Sequence, residues 1–222
     1  MMLFIFISCS SDDAVEQAEE PDLTSCDFTS YRYYYHEQQE LGEMDEEFIV
    51  LGIRNEFTDE EIASFVSSFD EFDQTYEYSL RGDEYFPWNE LPIKFSSPKT
   101  CEEITYLMSQ LREYSIISYT HFAFQTDDCT GMDWEPLGER CILSYDNTFF
   151  VKVFDKDDLT DLNEMMEETK TVIFEQFSSL PEWFVLKTTE DSPRDALAMA
   201  VYFYESGLFD LTDFSFTHYG VE

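Results

Sequence analysis

Phe149-Phe150-Val151-Lys152-Val153-Phe154 is a run of aromatic and β-branched residues that reads as a strand, and the segments C-terminal to it define the architecture. After the acidic stretch Asp155 to Asp158, Leu159, Leu162, Met165 and Met166 recur at helical spacing. Thr171 to Phe177 and Trp183 to Thr188 read as two strands around a turn at Ser178 to Pro181. Ser192-Pro193-Arg194-Asp195 carries helix-start chemistry: a serine N-cap, a proline at the first helical position and an acid three residues after the cap. Ala196, Met199, Ala200 and Phe203 supply that helix's buried stripe, Gly207 ends it, and Leu211 to Phe216 closes the unit as a strand. The order is βαββαβ.

Working back toward the amino terminus, the same order recurs. Phe48 to Ile53 reads as a strand, and Thr58-Asp59-Glu60-Glu61 as a capping box before a helix bearing Ile62, Phe65, Val66 and Phe69. Tyr76 to Leu80 and Leu91 to Phe95 supply the middle strands, and Thr100 to Glu103 caps a helix with Ile104, Leu107, Met108 and Leu111. Those four residues fall 92 positions before Ala196, Met199, Ala200 and Phe203, and Phe122 and Phe124 precede Phe214 and Phe216 by the same 92. Such an ungapped match indicates internal duplication. The fold class is α+β, as two tandem ferredoxin-like (βαββαβ) modules. The expected boundaries are a leader over residues 1–9, an acidic tether over 10–30, a first module over 31–126, a connecting loop over 127–147 and a second module over 148–222. Strands 149–154 and 183–186 are apolar on nearly both faces, so something covers the face away from the helices, either the other repeat or a partner protein.

Charge is extreme: 12 Lys and Arg face 49 Asp and Glu, for a net charge of −37. Such a surface repels phosphates, which argues against nucleic acid and anionic membrane as partners. The acids are spread along the chain as a solvated surface, and Asp155 to Thr160 lacks the glycine that an EF-hand turn needs. Beyond Cys9, the chain holds Cys26, Cys101, Cys129 and Cys141, which permit three disulfide pairings. Cys129 and Cys141 flank a short loop containing Gly131, Pro136 and Gly138 and are the cheapest pair to close. Zinc is the rival use of these thiols, but no C-x-x-C or H-x-x-x-H spacing appears, so no metal is expected.

Met1 to Ile7 is an unbroken apolar run followed by Ser8-Cys9-Ser10-Ser11-Asp12-Asp13. It resembles the end of a bacterial lipoprotein signal peptide, with Cys9 as the acylated residue and Ser-Ser-Asp-Asp as the acidic signal of Bacteroidota-type surface lipoproteins. The resemblance implies a bacterial outer-membrane protein, surface-exposed and held at the membrane only through its lipid anchor. Tyr33-Tyr34-Tyr35, then Leu180-Pro181-Glu182-Trp183-Phe184-Val185-Leu186, Ala196 to Ala200 and Tyr202-Phe203-Tyr204-Glu205-Ser206-Gly207-Leu208-Phe209 resemble the propeptides of Bacteroidota-type subtilisin-like serine proteases. The likeness covers roughly residues 31–218. It implies a domain that templates and inhibits a protease, with the open face of strands 149–154, 183–188 and 211–216 packed on the enzyme. The tail His218-Tyr219-Gly220-Val221-Glu222 would lie in the protease cleft like a cleaved product. The catalytic half of such a protease is not in the sequence.

His36, His121 and His218 are the side chains suited to acid–base work near neutral pH. His121 alternates with Phe122 and Phe124 and reads as a structural residue able to touch the second repeat or a partner; His36 has no nucleophile near it in sequence. Carboxylate pairs are everywhere in so acidic a chain and carry no information about glycosidase chemistry. Trp88, Trp134 and Trp183 read as packing residues. No phosphate-binding glycine loop exists, and no catalytic residue or cofactor is expected. The function expected is a non-catalytic surface lipoprotein that binds and inhibits or chaperones a subtilisin-like protease. The alternatives are a surface lipoprotein that binds a peptide or glycan, and the remnant of a truncated protease gene.

Overall fold

The computed structural model describes residues 26–82, 85–131 and 136–221. Cys9 and the leader, most of the tether, Trp134 and Glu222 lie outside them. The architecture is a mixed α/β fold with antiparallel sheets and few helices, none of them long and apolar enough among the described residues to cross a membrane. The elements run β1 (Tyr31–Tyr34), β2 (Glu37–Glu40), β3 (Met44–Arg54), α1 (Asp59–Ser67), β4 (Arg81–Gly82), β5 (Trp88–Lys94), α2 (Cys101–Leu111) and β6 (Ile117–Thr126). They continue as β7 (Cys141–Tyr145), β8 (Thr148–Lys152), α3 (Thr160–Thr169), β9 (Val172–Gln176), β10 (Trp183–Lys187), α4 (Ala196–Glu205), β11 (Leu211–Asp213) and β12 (Phe216–Gly220).

β1 and β2 form a small hairpin, β8 to β11 a four-stranded sheet in the order β11-β8-β10-β9, and the rest a six-stranded sheet in the order β12-β7-β6-β3-β5-β4. Within the larger sheet, the run β6-β3-β5-β4 places fourth, first, third and second strands side by side, as the smaller sheet does. Both first-half helices start on capping boxes: Thr58 and Thr100 each accept from the third helical N–H, and Glu61 and Glu103 each accept from the cap N–H. One face of β3 (Ile49, Leu51, Ile53) packs on Ile62, Phe65 and Val66 of α1 and on Ile104, Leu107, Met108 and Leu111 of α2. The second core joins Phe149, Val151 and Val153 to Leu162 and Met165 of α3 and to Met199, Ala200 and Phe203 of α4.

Several expectations are corrected. Helix α4 is capped by Asp195, whose carboxylate accepts from the Ala198 N–H, and starts three residues later than Ser192 implies. Ser192 instead closes the preceding loop, accepting from Thr189 and donating to the Lys170 carbonyl. The 92-residue spacing therefore aligns two buried helix faces but not two helix starts. Tyr76 to Leu80 is no strand: its aromatic and apolar side chains pack on the first core from a loop, and only Arg81 and Gly82 reach the sheet edge. Phe154 lies beyond the end of β8 and is exposed. The stretch 127–147 is more than a loop, because β7 within it pairs with both β6 and β12. The end of the tether is also fixed, with Cys26 bonded to Cys101 and Phe28 packed on Phe122 and Phe124. Hairpin β1–β2 belongs with the second half: the Tyr31 and Tyr33 hydroxyls both donate to Glu205, and Arg32 pairs with Asp213.

The largest correction concerns the carboxyl end. The chain leaves the small sheet after Asp213 and crosses to the large one, where β12 pairs with β7 from Phe216 opposite Tyr145 to Gly220 opposite Cys141. The tail is thus not a free segment. Tyr219 is fully buried, Val221 is nearly so, and the Val221 N–H donates to the Arg140 carbonyl. Tyr219 donates to Glu90 on β5, and Arg81 of β4 stacks over its ring at 5.1 Å. In a flat sheet four strand spacings would hold β12 about 19 Å from β5. The sheet must therefore curl, and Phe48, Val50, Ala123, Ile142, Tyr219 and Val221 fill its hollow as a third core. In the first half, the curled sheet covers its own second face.

Cys129 pairs with Cys141, and Cys26 with Cys101, both at a Cα separation of 5.3 Å. They close loops of 12 and 75 residues, so losing the longer one is expected to cost about 4 kcal/mol against about 3 kcal/mol for the shorter. Urea unfolding of Cys26→Ser/Cys101→Ser and Cys129→Ser/Cys141→Ser checks the ranking. Tyr219→Ala is expected to cost a further 3–5 kcal/mol or so, the scale of emptying an aromatic core position. A free tail would instead leave stability unchanged.

Candidate functional site

The hollow of the curled sheet gathers polar groups around Glu90, and a glycine positions them. Gly52 on β3 lies between Tyr119 on β6 and Glu90 on β5, one row across three strands. A Cβ at Gly52 would collide with the Tyr119 ring, so the glycine lets that ring lie across β3 and donate to Glu90 Oε1 at 2.8 Å. Tyr219 donates to the other oxygen, Oε2. Glu90 thus accepts one phenolic proton on each side.

From Tyr119 a file of rings runs toward the second half. Trp88 and Tyr119 have centroids 5.8 Å apart, Tyr119 and His121 4.8 Å, and His121 and Tyr145 4.3 Å. The Tyr145 hydroxyl donates at 2.9 Å to Asp195, the cap of α4, and Lys187 sits 4.6 Å over the Trp88 ring. His121 does touch the chain leading into the second half, as its strand position allowed. Burial, with help from Arg112, holds its pKa well below the ordinary histidine value against the opposing pull of the Asp146 backbone, so the ring is neutral. Burial also raises Tyr119 and Tyr145 well above their ordinary range, assisted by Glu90 and Asp195 respectively. Asp195 is raised by burial although the Ala198 N–H and Tyr145 oppose it, and Lys187 is lowered by burial and by Arg54. Asp146, on the β7–β8 link, is pushed by burial from 3.8 up to about 6, against the stabilising donors of Thr148.

The tyrosines here are hydrogen-bond donors and the imidazole a neutral one, an arrangement suited to fastening two halves together. The three histidines are not brought together. His36 lies on the β1–β2 turn with Nδ1 3.2 Å from the Tyr204 hydroxyl, and His218 on β12 has Nε2 4.0 Å from Asp128. Among the described residues no three His, Cys, Asp or Glu side chains are placed to share a metal ion. Glu90 and Asp146 escaped the sequence reading, and Tyr219 was read there as part of a product-like tail and not as a buried donor. The available signal was Gly52, an isolated glycine inside an apolar strand, which marks a close approach by another side chain.

No family model matches the chain, and no curated protein matches it. Among solved structures, the small subunit of acetolactate synthase from Thermotoga maritima aligns over 79% of this chain and 94% of that one, at 11% identity and a TM-score of 0.28. A likeness that low carries no functional argument.

Because Asp146 binds its proton more tightly when folded, stability falls as pH rises from about 4 through about 6, by on the order of 2 kcal/mol. Asp146→Asn keeps an Oδ1 acceptor for Thr148 and is expected to lose that fall. Urea midpoints at pH 4.5 and 7 for both chains measure it, and equal slopes would show that Asp146 does not titrate there.

Proposed function

We propose that this chain is a lipid-anchored binding protein of the bacterial outer surface, built from two tandem ferredoxin-like modules, that docks on a subtilisin-like protease and inhibits or chaperones it. The shared fourth-first-third-second strand order of the two halves supports the duplicated architecture. The observation that carries the binding reading is the face of the small sheet away from its helices. Phe150 and Lys152 alternate onto that face, with Trp183 opposite Lys152 and the ring of Phe177 stacked on Phe150 at 6.1 Å, and Phe154 follows two residues beyond the strand. Phe154 is 69% exposed, and Leu180 beside Trp183 is 48% exposed. In the first half the curled sheet fills the equivalent face. The second half leaves an aromatic patch on its own, the pattern of a docking surface.

The mechanism is steric, with the sheet face as its contact and no covalent step by this chain. Insertion of a product-like tail is not part of it, since residues 216–221 are held in the large sheet. A second reading, a glycan- or peptide-binding lipoprotein, draws on the β1–β2 tip. There Tyr34 and Tyr35 are 39% and 69% exposed, and Tyr35 and His36 hold positive φ of 46° and 68°.

Titrating the purified chain into a subtilisin-like protease from the same organism is expected to give nanomolar inhibition, with Trp183→Ala and Phe154→Ala each weakening it about tenfold or more. No inhibition while the chain stays uncleaved would sink the protease reading. Retained binding to surface glycans or peptides that Tyr35→Ala abolishes would favour the second.

A further inference from the structure

A second polar concavity lies where the two halves meet, bordered by Tyr119, His121 and Asp195 of the ring file. It is a cavity of about 40 Å³ between the end of α2, the middle of β6 and the loop leading into α4, and it continues into a wider crease bordered by Cys26 and Phe28. Two arginines line both spaces, Arg112 at the C-terminus of α2 and Arg194 just before α4. Arg112 gives its Nε–H to Thr120 Oγ1 at 2.9 Å, which fixes the guanidinium, and Arg194 lies over the Tyr202 ring at 4.7 Å. Neither has a carboxylate within ion-pair distance among the described residues.

The two acids on the same walls are already engaged. Glu190 pairs with Arg54, and Asp195 accepts from the Ala198 N–H at 2.8 Å and from the Tyr145 hydroxyl at 2.9 Å. With Glu190 charge-paired to Arg54, the two arginines outnumber Asp195 on these walls, so the cavity is locally positive within a chain of net charge −37, and the N-terminus of the ten-residue helix α4 adds to that potential. The independent sign of a ligand is His121. It lines this cavity, it is 1% exposed, and neither ring nitrogen has a hydrogen bond of normal geometry, the Asp146 backbone being only the least of the influences on its pKa. A neutral imidazole carries one N–H that needs an acceptor, and leaving it unmet is costly.

We propose that this junction binds a small, singly charged carboxylate, held by the guanidinium groups of Arg112 and Arg194 and reaching toward His121. A planar carboxylate accepts two parallel N–H bonds from a guanidinium. The two resident acids disfavour a doubly charged phosphate. None of these residues belongs to the aromatic face of the small sheet, so this site stands or falls separately from protease docking.

The test is isothermal titration of the whole chain with acetate and with propionate, ionic strength being held by sodium chloride, and with inorganic phosphate in parallel. Saturable carboxylate binding is expected, together with a shift of the His121 ring signals in nuclear magnetic resonance spectra. Arg112→Met and Arg194→Met should each weaken binding about tenfold or more. Arg194 is exposed, so its variant reads the site even where loss of the Arg112 bond to Thr120 harms folding. Heat no greater than the chloride control, unchanged affinity in Arg194→Met, or binding of phosphate without acetate would each overturn the proposal.

Discussion

Glu90 receives a proton donor from each side of the curled sheet, Tyr119 across Gly52 and Tyr219 from the last strand. A carboxylate partly withdrawn from water is costly unless donors replace the water, and here one donor comes from interior strand β6 and the other from β12 at the far edge of the six-stranded sheet. Satisfying Glu90 is thus the same event as curling the sheet. Once β12 is drawn over the hollow, Tyr219 and Val221 complete the third core. The path of the carboxyl end, the closure of the first half's second face and the position of β7 all follow from that constraint.

The same economy governs the seam between the halves. A file of rings from Trp88 to Tyr145 ends on Asp195, so the cap that starts α4 is also the acceptor that ends the file. Local and tertiary structure share one carboxylate. This accounts for the helix starting at Ala196: an aspartate that accepts from Ala198 and Tyr145 together outcompetes a serine three residues earlier, whose hydroxyl is drawn to the Lys170 carbonyl. Most of the acidic side chains lie elsewhere, where they keep the surface soluble and set the sign of any partner that approaches it.

The two halves differ in what they do with the sheet face their helices leave bare. The first buries it by curling around aromatic and aliphatic side chains. The second sheet, of four strands, has Val185 buried and Lys187 against Trp88 at one end of that face, while Phe150 and Trp183, with Phe177 just beyond β9, remain at least partly open.

Periodicity, with capping chemistry in the first half, was enough to locate the helices of the described residues and most of their strands, because those signals act within a few residues. Thr58–Glu61 and Thr100–Glu103 close rings with themselves, and the stripes at Ile104 and Met199 need only a helix to face one way. The 12-residue Cys129–Cys141 loop is legible for the same reason. Tertiary structure alone decided the rest. That β12 leaves its own half for the other sheet and that residues 31–40 pack on the second half depend on groups 129 and 174 residues apart satisfying one another's polar atoms. A sequence shows which side chains need partners; only the packed chain brings within reach the partner that removes the desolvation cost.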